Sequence, residues 1–163
     1  MIHHAIAILL LSLLPACSVN NLERFHAEDQ FLSQTFNITG EDDTITIRTW
    51  GPESRMQGLV ERHYPFGDEE KREIEAILNR HGLLWHLDRY FPLVWICDGE
   101  TLAIDVTYDG KTKEIWCNNN IPGALRRIPR DIIAYYEATY PDAGPATYQF
   151  TGNPVISTPV DSE

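Results

Sequence analysis

Basic residues are scarce in this 163-residue chain. Lys and Arg number 13 against 24 Asp and Glu, giving a net charge of -11, and neither Lys nor Arg occurs after Arg130. With no basic stripe and an excess of acid that repels nucleic acid and anionic headgroups, no nucleic-acid partner is expected. Cysteine is limited to Cys17, Cys97 and Cys117, with no CxxC spacing and no adjacent basic residue to lower a thiol pKa, which argues against redox or nucleophilic cysteine chemistry. There is no GxSxG elbow, no glycine-rich phosphate loop and no HExxH. His81 and His86 straddle the helix-ending Gly82 without a third ligand at regular spacing, so neither a metal nor a cofactor is expected. Asp98 with Glu100, and Asp105 with Glu114, are accounted for by turn and solvent-face roles, and no catalytic constellation emerges.

The clearest element is a hairpin. Leu102, Ile104, Val106 and Tyr108 alternate with Ala103, Asp105 and Thr107, the period of two that sends successive side chains to opposite faces of a sheet. Asp109-Gly110 is a two-residue loop suited to a type I′ turn, and Lys111 to Cys117 is the return strand. Pairing Tyr108 with Lys111 sets Ile104 opposite Ile115 and Leu102 opposite Cys117 on an apolar face. Asp105 then meets Glu114, and Thr107 meets Thr112, on a solvent face.

Cys97 and Cys117 flank this hairpin and admit two arrangements. A bond between them closes a loop of about twenty residues, worth ~3 kcal/mol in the chain-entropy model. Alternatively, a turn at Asp98-Gly99 makes a regular three-stranded meander. The two cysteines then lie on opposite outer strands about 9–10 Å apart, beyond the roughly 7 Å that a disulfide spans.

The N-terminus bears on that choice. Ala5 to Leu14 is uncharged and almost wholly apolar, shorter than the about 20 residues of a membrane-spanning helix but suited to the hydrophobic region of a secretory signal peptide. It ends in Leu14-Pro15-Ala16-Cys17, which resembles the lipobox of bacterial lipoproteins. The resemblance implies cleavage after residue 16, lipid on Cys17 and attachment to the envelope. Ser18 after the cysteine is similar to the outer-membrane sorting pattern, with the protein facing the periplasm. The leader departs from the usual pattern in having no Lys or Arg and in placing a proline before Ala16. In an oxidising periplasm, with Cys17 taken by lipid, a Cys97–Cys117 disulfide is the default.

Residues 17–30 read as a polar, lipidated tether, and residues 31–140 as a single α+β domain. Phe36, Ile38, Ile45 and Ile47 suggest a second hairpin with a turn over Thr39 to Asp43; Leu59 to Tyr64 suggests a third strand. A helix opens after Gly67 with Asp68, Glu69 and Glu70, carries Ile74, Ile77 and Leu78 on one stripe, and stops at Gly82. Leu83 to Phe91 fits either a short helix or a strand. Pro122 starts one short helical piece through Arg127, and Pro129 starts another bearing Ile132, Ile133, Tyr136 and Tyr140. Residues 141–163 read as a mostly flexible tail, with a strand at Tyr148 to Phe150.

The fold expected is thus α+β: a small antiparallel sheet with a central hairpin (about 101–117) packed by two helices. The run from Glu69 to Tyr136 comprises a helix, Trp85 and Tyr90, Asp98-Gly99, a strand, Asp109-Gly110-Lys111, an Asn-rich turn, Pro122 and a helix. It is similar to a pattern in uncharacterised small bacterial proteins. Trp85, Trp95 and Trp116 are expected near the hairpin, as core or as binding aromatics. The function expected is a non-enzymatic protein- or peptide-binding module: an inhibitor, an immunity-type protein or an envelope accessory protein. Its membrane contact runs through the N-terminal lipid, and its partner is a basic protein or peptide. The alternative is an enzyme acting on envelope polymers through acids near the hairpin mouth.

Overall fold

The computed structural model describes residues 18–30, 36–50, 59–92, 99–143 and 147–149. In chain order the strands are β1 (Leu22–Gln30), β2 (Phe36–Glu41), β3 (Thr44–Thr49) and β4 (Leu59–Pro65), followed by helix α1 (Asp68–Arg80). A 3-10 turn (Leu83–Trp85) leads to β5 (Arg89–Tyr90), β6 (Thr101–Tyr108), β7 (Lys111–Asn118), helix α2 (Gly123–Thr139) and β8 (Thr147–Gln149). The strands form one eight-stranded sheet in the order β5-β7-β6-β1-β2-β3-β4-β8. Every pairing is antiparallel except β5 with β7.

The α+β class holds, but the sheet is not small, and the β6–β7 hairpin lies toward one edge with β1 and β2 at the middle. The hairpin's register is the expected one, from Tyr108↔Lys111 to Leu102↔Cys117. Its turn has φ of 47° at Asp109 and 66° at Gly110, both left-handed as a type I′ turn requires.

The largest correction concerns residues 17–30. From Leu22 onward the supposed tether is β1, paired with β6 on one side and β2 on the other. Its polar composition misled because Arg24, His26 and Glu28 point to the open face, leaving Phe25 and Ala27 fully buried on the other. The segment before it is also held: the Val19 N–H donates to Asn79 Oδ1 at 2.7 Å, Asn79 Nδ2 returns a bond to the Val19 carbonyl at 2.9 Å, and the Leu22 N–H donates to Glu75 Oε1 at 2.7 Å. At the other end, Thr147–Gln149 pairs with β4, so the folded chain reaches past residue 140. The leader, Cys17 and the remainder of the tail lie outside the described residues.

Two local readings also change. The β2–β3 turn contains only Asp42 and Asp43. Gly40 lies within β2, where a Cβ would stand 3.0 Å from the Phe66 ring, so this glycine serves a close ring contact. The two helical pieces expected around Pro129 are one helix, with Pro129 inside it and buried. Proline removes one helical N–H, but the buried stripe Leu125, Ile128, Ile132 and Tyr136 continues through it, and packing against the sheet outweighs the missing bond. Helix α1 matches its expected limits, and Gly82 follows it at φ 64°.

The core is continuous. Ile38, Ile45, Ile104, Val106, Ile115 and Cys117 of the sheet pack with Ile74, Ile77 and Leu78 of α1 and the α2 stripe. The opposite sheet face is polar. Among the described residues, no helix is long and apolar enough to cross a membrane.

Candidate functional site

Three large apolar side chains stand out in solvent: Trp85 is 69% exposed, Leu87 66% and Phe91 54%. All lie in the short connection between α1 and β6. After left-handed Gly82 the 3-10 turn sends Leu83 into the core, where it is 1% exposed, and leaves Trp85 facing outward. The chain is then pinned along β7. The Asp88 carbonyl accepts the Trp116 N–H at 2.8 Å, and the Lys113 ammonium donates to the His86 carbonyl at 2.9 Å and pairs with Asp88. The Leu87 N–H donates to the Tyr90 hydroxyl at 3.0 Å. Phe91 packs on half-buried Trp116, with ring centroids 5.5 Å apart and planes at 60°.

A cleft of about 750 Å³ runs over β5, β7 and β6, lined by Asp88 and Arg89 of this connection and by Asp105, Lys113, Glu114 and Trp116 among others. Asp105 faces Glu114 on one neighbouring strand and His26 on the other. Burial pushes its carboxyl above the usual range. The charge of His26 pulls it down, and that of Glu114 adds to the rise. The Thr107 and Thr112 hydroxyls are 3.4 Å apart on the same face.

The hairpin mouth is different in character. Glu100 pairs with Arg126, whose hydrogen bond holds the carboxyl below its ordinary range against the opposing effect of burial. It is therefore an ionised carboxylate, unsuited to donate a proton at neutral pH. A second pocket of about 310 Å³ opens there, between the end of the sheet and α2, with Phe36, Leu102, Ile121 and Ile133 as walls and Glu100 and Arg126 at its rim.

The expected aromatic cluster is only partly assembled. Trp116 meets Phe91; among the described residues no ring packs against Trp85, and Trp95 lies outside them. Cys117 is buried and unbonded in this structure; as a thiol, its pKa is pushed up to about 11 by burial. Cys97 lies outside the described residues, as do Val94, Ile96 and Asp98. The regular meander is ruled out, however. Both sides of β6 are taken, by β7 and β1, so a meander with a third strand on β6 does not form. His81 Nε2 lies 2.8 Å from Asp131 Oδ2 and His86 Nδ1 lies 3.0 Å from the Tyr90 hydroxyl, and no metal-holding cluster occurs among the described residues.

One network was not foreseen. Glu70, 7% exposed, accepts the Gly67 N–H at 2.9 Å through Oε2 and the Tyr140 hydroxyl through Oε1. The Tyr136 hydroxyl donates to the Pro65 carbonyl at 3.1 Å, and Tyr64 packs on Tyr136 at 5.0 Å. This cluster ties α1, α2 and β4 together. The i, i+4 spacing of Tyr136 and Tyr140 was its only sequence signal.

Compared with protein-family models, curated proteins and solved structures, the chain matches none.

Proposed function

We propose that this protein is a periplasm-facing lipoprotein that acts as a non-enzymatic binding module for a basic protein or peptide, as an inhibitor, immunity-type protein or envelope accessory subunit. The observation that carries the reading is the exposure of Trp85, Leu87 and Phe91 within seven residues, beside an open cleft bearing Asp105 and Glu114. Exposed apolar area forgoes roughly 25 cal/mol per Å² of burial, which a bound partner recovers. Large aromatics dominate interface energetics, and the net charge of -11 selects a basic partner.

The anchor is argued from the lipobox-like Leu14-Pro15-Ala16-Cys17. Val19 is docked on α1, so a lipid on Cys17 would hold the domain within about 7 Å of chain. Outer-membrane placement follows from Ser18, and the Cys97–Cys117 disulfide from the oxidising compartment.

A second reading has one observation in its favour. The upward-shifted Asp105 opposite Glu114 in a cleft is the kind of arrangement an enzyme acting on envelope polymers would use. It requires a hydrolytic activity that Asp105→Asn abolishes.

The test is extraction of the full-length protein from its native envelope in mild detergent, followed by identification of what remains bound. A stoichiometric basic protein released by salt is expected; a partnerless protein overturns the binding reading. Membrane fractionation unchanged by Cys17→Ser would refute the anchor.

A further inference from the structure

Among the described residues, the outer edge of β7 is paired with a strand only at its end. β5 covers only Trp116 and Cys117, and among the described residues Lys111 to Ile115 have no strand on that side. The direction of the backbone groups follows from the hairpin. In an antiparallel ladder, alternate residues turn both N–H and C=O toward the partner strand, and a type I′ turn makes Tyr108 and Lys111 such a pair. Lys113 and Ile115 therefore bond inward to β6, while Thr112, Glu114 and Trp116 point outward. The Trp116 N–H, bonded to the Asp88 carbonyl, confirms that direction. Thr112 and Glu114 thus turn two donors and two acceptors away from β6, in line with the end of β5, and no strand meets them among the described residues.

The surroundings of this edge differ on its two sides. On the open face stand Glu114 and, one strand in, Asp105, with Trp116 next along β7 and Arg89 of β5 beside it. On the core side Lys113 reaches out to the His86 carbonyl and to Asp88, so its charge is engaged, and exposed Leu87 follows directly.

We propose that β7 takes an extended segment of a basic partner as an added strand, with cationic side chains on the side of Glu114 and Asp105 and alternating apolar side chains on the side of Leu87. Main-chain bonds to Thr112 and Glu114 give such a strand its affinity, and the alternation gives its specificity. A second copy of this chain fits less well, because antiparallel pairing of two β7 edges centred on Lys113 sets Lys113 opposite its own copy. This inference rests on the binding-module reading and specifies where and how it operates.

The probe is a short peptide alternating lysine and valine, added to the full-length protein in detergent and followed by residue-resolved hydrogen exchange. The amides of Thr112 and Glu114 should exchange freely without peptide and become protected with it. A copy of the peptide N-methylated on the amides that face β7, and a glutamate–valine version, should each bind at least about tenfold more weakly. Glu114→Lys, a change at an exposed position, should produce a similar loss.

Equal binding of the N-methylated copy, or protection confined to residues away from β7, overturns strand addition while leaving a binding module intact. So does recovery of a salt-released basic partner from the envelope when the peptide does not bind. Amides already protected in the free protein overturn the proposal in favour of the chain itself or, if protection rises with concentration, a second copy. Absence of both peptide binding and any envelope partner overturns the inference and the underlying reading together.

Discussion

Replacing Tyr140 with Phe removes one hydroxyl from the network that joins the two helices. The lost bond runs to the Glu70 carboxylate, which is almost wholly buried and keeps backbone partners at Gly67 and at Glu70 itself. Hydrogen bonds to charged groups contribute roughly 1.5–3 kcal/mol. Because Tyr140 is partly exposed, a loss of about 1–2 kcal/mol is expected, or about 3–8 °C in Tm for a domain of this size. The pH dependence separates this bond from lost packing. The Tyr140 bond holds the Glu70 pKa below its ordinary value. A depressed carboxylate contributes stability that is present above the unfolded pKa of about 4.3 and is lost as pH falls through the folded value. The Tyr140 hydroxyl is pushed up to about 12 by its bond to Glu70, so its contribution is present below about 10 and lost as pH rises toward the folded value. Urea unfolding of both proteins at pH 7 and near pH 3, roughly one unit below the carboxylate reference, should show the difference shrinking in acid. A difference that stays constant across this range, or one below about 0.5 kcal/mol at pH 7, would refute the reasoning.

Phe25→Ala tests whether β1 is structural: a fully buried phenylalanine in a central strand should cost about 3–5 kcal/mol in chemical denaturation, whereas a residue in a tether would cost almost nothing. Gly40→Ala drives a methyl against the Phe66 ring and should cost about 1–3 kcal/mol; an unchanged midpoint would show that the ring shifts freely. Thiol titration of the denatured, unreduced protein taken from the envelope should find neither Cys97 nor Cys117 free, and two reactive thiols would exclude the disulfide.

Sequence alone specified the register of the β6–β7 hairpin, because period-two alternation and Asp-Gly turn chemistry are local. Helix α1 was equally clear from its acidic start, its stripe and Gly82. β1 was missed because a strand with one open face shows few apolar residues, and because one of its two partners lies far away: Phe25 pairs with Val106, some eighty residues on. That omission also hid the size of the sheet, since β1 joins the β2–β4 meander to the hairpin. Pro129 misled for the opposite reason: a strong local breaker was overridden by burial of its own face of α2. At the site, the acids of the hairpin's open face were legible by register. Exposure of Trp85, Leu87 and Phe91 was not, because an apolar run reads alike whether it fills a core or lines a surface. How far the edge of β7 is paired depends on where β5 stops, which no local pattern encodes.

In the proposed function, the surface between Leu87 and the edge of β7 meets a partner in the envelope. Photo-crosslinking in intact cells tests it most directly, with a photoreactive residue placed at Leu87 and, as a control, at exposed Arg72 on α1. One discrete adduct with a basic protein is expected from position 87 and none from position 72. No adduct from position 87, or the same adducts from both positions, would contradict it.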